Sequence, residues 1–235
     1  MTRQPFFGPP RPPSDGRPAF GGDRQRPQPG LGRVTLILGG VMLLVQLYVS
    51  QLGYPAEAIF YRRFALNPNL VLAALDGSAP LAPALWPFVT SLFLHGDWFH
   101  LLSNLLFLAI FGTLVERYLG GRRFLLLFFL TGLAGSLLQV IITDDWGPPT
   151  ELVVGASGGL FGIMGVALTC GAPAMRRGSP QRRLLIALII INGVLGLVAA
   201  SGITGELLLI GWQSHLGGFL AGLLLGRWLH PRHLS

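Results

Sequence analysis

Lysine is absent from this chain, cysteine occurs once, and charged residues fill only 11% of its 235 positions. Ordinary soluble domains are roughly a quarter charged, so this scarcity argues against one, and a hydrophobic content of 51% points to a membrane protein. With Cys170 alone no intramolecular disulfide can form, and helix packing must hold the fold. The missing lysine makes the net charge of +7 entirely an arginine matter. A basic chain raises nucleic acid as a partner. Here the arginines lie between apolar runs rather than along one face, so no nucleic acid is expected and the lipid bilayer is.

What is present organises into six apolar runs. Residues 1 to 33 are rich in Pro, Gly and Arg and cannot bury enough surface to offset the entropy of ordering, which predicts a disordered cytoplasmic tail. No convincing small-residue cleavage site follows the first apolar run, so the tail does not read as a cleaved signal peptide. A domain over 34–229 then carries spans at about 34–50, 98–115, 124–142, 155–170, 184–200 and 207–225, and residues 230–235 form a short cytoplasmic end. The first run is close to the lower limit for crossing a hydrocarbon core of roughly 30 Å. Residues 51 to 94 mix prolines with aromatic and aliphatic side chains, as expected of a connection lying partly in the bilayer interface. The fold class expected is an all-α bundle of six transmembrane helices.

The connections alternate in charge. Glu116 to Arg123 and Gly171 to Arg183 are arginine-rich, whereas Thr143 to Val154 holds Asp144, Asp145 and Glu151, and Ser201 to Glu206 holds one Glu. The side with both termini collects 15 Arg and 3 acids, and the opposite side collects Arg62 and Arg63 with 7 acids. By the positive-inside rule both termini of this cell-membrane protein are expected on the cytoplasmic side. Neither half repeats an interrupted helix of the transporter kind.

Polar side chains inside spans are expensive and are functional candidates by default. Ser157 stands in Gly155-Ala156-Ser157-Gly158-Gly159-Leu160-Phe161-Gly162, His215 opens His215-Leu216-Gly217-Gly218-Phe219-Leu220-Ala221-Gly222, and His100 and Asn104 share a face at i, i+4 of the second span. A serine in an apolar helix often only packs, its hydroxyl bonding to a carbonyl one turn back. Depth argues for more. Ser157 lies six residues past Glu151 and His215 nine past Glu206, so at ~1.5 Å per residue both sit ~9–13 Å below the outer surface.

His215, Gly218 and Gly222 fall on one helical face, and Gly158, Gly162 and Gly165 form a matching smooth stripe, with Phe161 one turn beyond Ser157. Docking glycine on glycine would bring His215 to Ser157. The same glycines could simply pack helices. A histidine within reach of a serine can take its proton as the serine attacks a carbonyl. His100, Asn104 and the Ser157 backbone N–H could then stabilise the oxyanion, although His100 and Asn104 also suit a structural interhelical bond. No carboxylate or thiolate joins the histidines and no H-E-x-x-H is present, so neither metal nor other cofactor is expected. The letters G-x-S-x-G also fit the elbow of soluble α/β-hydrolases, but six helical runs leave no room for its sheet.

From about Trp86 to Gly226 the sequence resembles the rhomboid family of intramembrane serine proteases. The likeness is carried by H-x4-H-x3-N (His95, His100, Asn104), Glu116-Arg117 with Gly120, G-x-S-G at Gly155 to Gly158, and H-x2-G-x3-G at His215, Gly218 and Gly222. It implies Ser157 as nucleophile, His215 as base, and His100, Asn104 and the Ser157 amide as oxyanion hole, with no third acid. His95 corresponds to a structural position anchoring the first connection. Phe161 stands where many members have a tyrosine stacked on the catalytic histidine, and Trp86-Pro87 replaces the family's Trp-Arg. The substrates implied are transmembrane proteins cut near the outer end of a helix, entering by movement near the fifth span. No oligomeric state is implied. A rhomboid-like chaperone that binds helices without cutting them is the alternative, and it would be expected to lose the serine or the histidine. A channel or carrier would need a polar track through both leaflets, which the spans lack.

Overall fold

The computed structural model describes residues 30–146, 152–200 and 211–229. The chain is an all-α bundle of a membrane protein, with no strand among the described residues. Helix α1 is Arg33–Val49, and four short helices follow, α2 (Ala56–Phe64), α3 (Pro68–Leu75), α4 (Leu81–Leu85) and α5 (Pro87–Thr90). Next comes α6 (Trp98–Phe107), continued through a π-helical turn at Leu108–Gly112 into α7 (Thr113–Leu119). The bundle is completed by α8 (Gly121–Trp146), α9 (Ser157–Thr169), α10 (Pro180–Ala200) and α11 (Trp212–Trp228). Among the described residues the apolar runs overlap these helices: 34–50 α1, 98–115 α6 through α7, 124–142 α8, 155–170 α9, 184–200 α10, and the described part of 207–225 α11.

Three of them are long and apolar enough to cross a membrane: Trp98–Leu119, Gly121–Ile142 and Pro180–Val198. The other apolar runs form shorter helices of 17, 13 and 17 residues, α1, α9 and α11. Helix α9 is the hub. Every residue from Gly158 to Ala167 is buried, as expected of a helix that is apolar all round. Its 13 residues give a length of about 20 Å, roughly 10 Å short of a hydrocarbon core. Its Ile163 and Met164 pack in one core with Phe111, Phe124, Phe128, Leu101 and Leu108, all essentially inaccessible.

Helices α8 and α11 reach α9 through small residues. A Cβ at Gly218 would fall on the carbonyl oxygen of Gly158, and one at Gly222 on that of Gly162. A Cβ at Gly165 would stand 2.5 Å from Phe219 O and 2.9 Å from Leu223 N. On the α8 side, Thr131 returns its hydroxyl to the Leu127 carbonyl at 2.8 Å and reaches Gly159 O at 3.2 Å. Such contacts replace the hydrophobic effect, which offers nothing between helices already in an apolar medium.

The sequence suggested over 51–94 a long connection lying partly in the bilayer interface, and assigned it no helices. Instead it folds into α2 to α5, because prolines there occupy helix starts, Pro68 and Pro87 each at the first turn, where no N–H is needed. Side chains tie these helices to one another: Trp86 Nε1 donates to Arg63 O at 2.8 Å, Thr90 Oγ1 to Phe64 O at 2.7 Å and Tyr61 Oη to His95 O at 2.6 Å. Residues 30 to 33, counted with the tail by composition, are held against the second span, where Arg117 donates to Gly30 O. The rest of the expected tail, the connection over 147–151, the loop 201–206 with the first residues of the sixth run, and the end 230–235 lie outside the described residues.

Candidate active site

Two features of the chain entering α9 place Ser157. An antiparallel pair, Leu66 N–H to Val153 O at 3.0 Å and Val153 N–H to Leu66 O at 2.8 Å, fixes the approach, and Gly155 N–H then donates to Ser91 O at 2.9 Å. Gly155 turns the chain with φ of +118°, a conformation in which a Cβ is strained. A side chain there would also fall 2.7 Å from His100 Nε2. Glycine is required twice over. Ser157 is the first residue of α9, so its N–H has no acceptor within the helix and points outward from the positive end of the dipole.

His215 comes to this serine from α11. Its Nε2 lies 2.7 Å from Ser157 Oγ, the distance of a good hydrogen bond. The glycine contacts explain the approach, since Gly218 and Gly222 sit one and two turns along the same face and seat on the carbonyls of Gly158 and Gly162. Phe161 covers the imidazole, stacked at 4.4 Å between centroids and 11° between planes. The other ring nitrogen, Nδ1, meets Asn192 Oδ1 of α10 at 2.9 Å.

The oxyanion candidates stand on α6. Asp97 caps that helix by accepting from His100 N–H at 2.8 Å, which fixes its start and so the face carrying His100 and Asn104. His100 Nε2 and Ser157 Oγ both lie within 4 Å of the point where a Gly155 Cβ would sit. Asn104 is buried and spends one Nδ2–H on the His100 carbonyl at 2.8 Å. Its second Nδ2–H remains available. His95, just before α6, packs its ring edge-on against His100 with centroids 5.1 Å apart. Burial above all, and then the neighbouring His100, push the pKa of His95 down to about 3. Among the described residues no group of histidines, cysteines and carboxylates could hold a metal ion.

Sequence reasoning missed Asn192 altogether. The signal was present, because Asn192 is the single hydrogen-bonding side chain between Leu184 and Ala200, and a polar residue inside a span calls for a partner.

Fold and site together define a class: an all-α membrane protein with a hydrogen-bonded serine and histidine in its interior, the serine opening a helix. The Rhomboid domain family model matches residues 82–232, and the chain belongs to that family. Similar proteins include Rhomboid-like protease 3 of Toxoplasma gondii, 35% identical over 165 residues that cover 68% of this chain and 59% of that one. Rhomboid-like protein 11, chloroplastic, of Arabidopsis thaliana is 32% identical over 154 residues, 61% of this chain and 52% of that one. RHOMBOID-like protein 5 of the same plant is 33% identical over 144 residues, 60% and 43% of the two chains. The chain spans about half the length of these relatives.

Proposed function

We propose that this protein is an intramembrane serine endopeptidase that cuts transmembrane protein substrates near the outer end of a helix. The observation that carries the reading is the 2.7 Å contact between Ser157 Oγ and His215 Nε2, inside a bundle of the rhomboid family. His215 accepts the serine proton as Oγ attacks the peptide carbonyl, and returns it to the leaving amine. The tetrahedral oxyanion is met by the Ser157 N–H, His100 and Asn104. Water then hydrolyses the acyl-enzyme, with His215 again as base. Because α9 falls about 10 Å short of a full span, Ser157 is recessed below the surface. A substrate helix must therefore unwind locally to present a bond, which favours small, helix-weakening residues at the cut.

The charge distribution supports an orientation with arginine-rich connections and both termini on the cytoplasmic side. A reporter inserted near Asp145 then reads as external and one fused after Ser235 as cytoplasmic. The activity is tested by labelling membranes with a fluorophosphonate and by cleavage of a single-span substrate, with Ser157→Ala and His215→Ala as controls. Wild type should label and cleave, and each variant should lose both while staying folded. Cleavage by folded Ser157→Ala protein would overturn the reading.

A further inference from the structure

Serine and histidine of the site come from α9 and α11, but the histidine has a second neighbour on α10. Asn192 Oδ1 lies 2.9 Å from His215 Nδ1, on the side of the ring opposite Ser157. A neutral imidazole carries one proton, on either nitrogen, and the partner of one nitrogen decides the state of the other. A carboxamide oxygen has no proton to give. Opposite Nδ1 it therefore selects the tautomer with Nδ1–H, which leaves the Nε2 lone pair facing the Ser157 hydroxyl. The reverse tautomer would aim an N–H at the serine oxygen, and His215 could not act as base.

We propose that Asn192 is the positioning residue of His215: reaching the ring from α10, it selects the tautomer in which Nε2 can take the Ser157 proton. This rests on the protease reading. Helix α10 meets α11 one turn beyond Asn192, where Gly196 abuts Trp212 so closely that a Cβ would stand 2.9 Å from the Trp212 Cβ, and that contact sets the register at which Asn192 reaches Nδ1.

The test uses the full chain in detergent with nitrogen-15 histidine, the His215→Gln spectrum assigning the His215 ring signals. Wild type should show Nδ1 protonated and Nε2 not. In Asn192→Leu, which keeps the bulk and removes the acceptor, the two tautomers should mix. Fluorophosphonate labelling and kcat should then fall about 2- to 10-fold, the factor one neutral hydrogen bond is worth, with KM and melting temperature nearly unchanged. Asn192→Asp, which keeps an acceptor oxygen, should recover most of the rate. A wild-type His215 protonated on Nε2, or an Asn192→Leu protein with wild-type tautomer and labelling rate, would overturn the proposal. If Asn192→Leu does not fold, the wild-type tautomer decides alone. A wild-type protein that never labels sinks the protease reading, and the tautomer still decides the role of Asn192.

Discussion

Phe161 lies flat on His215, its ring 4.4 Å from the imidazole and 11° from parallel. Since Phe161 stands one turn after Ser157 on α9, one rigid helix carries both the nucleophile and the wall that limits rotation of the base. The stacking face of a phenylalanine and a tyrosine is the same. Phe161→Tyr should leave turnover within about twofold, whereas Phe161→Leu should lower it about 2- to 10-fold, the range of an aromatic pair worth 0.5–1.5 kcal/mol. Turnover per fluorophosphonate-labelled site separates this from simple loss of folded protein.

The contact of Gly222 with the Gly162 carbonyl leaves no space for a methyl group, and the neighbour there is backbone that cannot rotate away. Gly222→Ala should destabilise the protein by at least about 1–3 kcal/mol, the usual cost of overpacking, and should also slow labelling by moving His215 away from Ser157. Gly40, in α1, has nothing within 4 Å of a Cβ. Gly40→Ala should therefore leave both melting temperature and labelling unchanged or slightly improved. Equal behaviour of the two variants would show that the glycine stripe does not set the helix spacing.

The difference between Gly222 and Asn192 marks how far the sequence could be read. Stripe, serine and histidine repeat at helical spacing, so their shared faces follow from periodicity within each helix, and close backbone approach follows from the lack of side chains. On α10, Asn192 and Gly196 share a face at i, i+4, but that spacing does not say which neighbour the face meets, and only the packed bundle turns Asn192 toward His215. The helices α2 to α5 were not legible for another reason: an amphipathic connection with several prolines does not show which of them start helices, and Pro68 and Pro87 sit in first turns.

Glu116 was legible as a family residue but not in its task. Its carboxylate accepts Val34 N–H at 2.9 Å, Thr35 N–H at 2.8 Å and Thr35 Oγ1–H at 2.8 Å, capping from another helix an α1 start whose own Gly32 offers no side chain. Hydrogen bonds to a charged group contribute about 1.5–3 kcal/mol each. Glu116→Ala should therefore cost about 3 kcal/mol or more, and Glu116→Gln clearly less. Melting curves in detergent measure this. The labelling rate per folded molecule should stay near wild type, since Glu116 lies three turns beyond Asn104 along the second span, away from Ser157.

Asn104 separates the oxyanion reading from a purely structural one, because its amide already has one partner. One Nδ2–H is held by the His100 carbonyl at 2.8 Å, which orients the group and leaves the second N–H to donate. If that N–H meets the oxyanion, Asn104→Ala should lower kcat by roughly 10²–10³, the cost of losing one such donor, with little change in substrate binding. If Asn104 only ties its own helix turn, the loss is one neutral hydrogen bond, worth about 0.5–1.5 kcal/mol of stability, and the rate of the surviving enzyme should barely move. Asn104→Asp sharpens the comparison. It keeps the shape of the side chain but offers the developing negative charge a carboxylate, so the oxyanion role makes it slower than Asn104→Ala, and the structural role does not. Turnover per labelled site and melting temperature for the two variants decide between them, and wild-type turnover with lowered stability would remove Asn104 from the catalytic set.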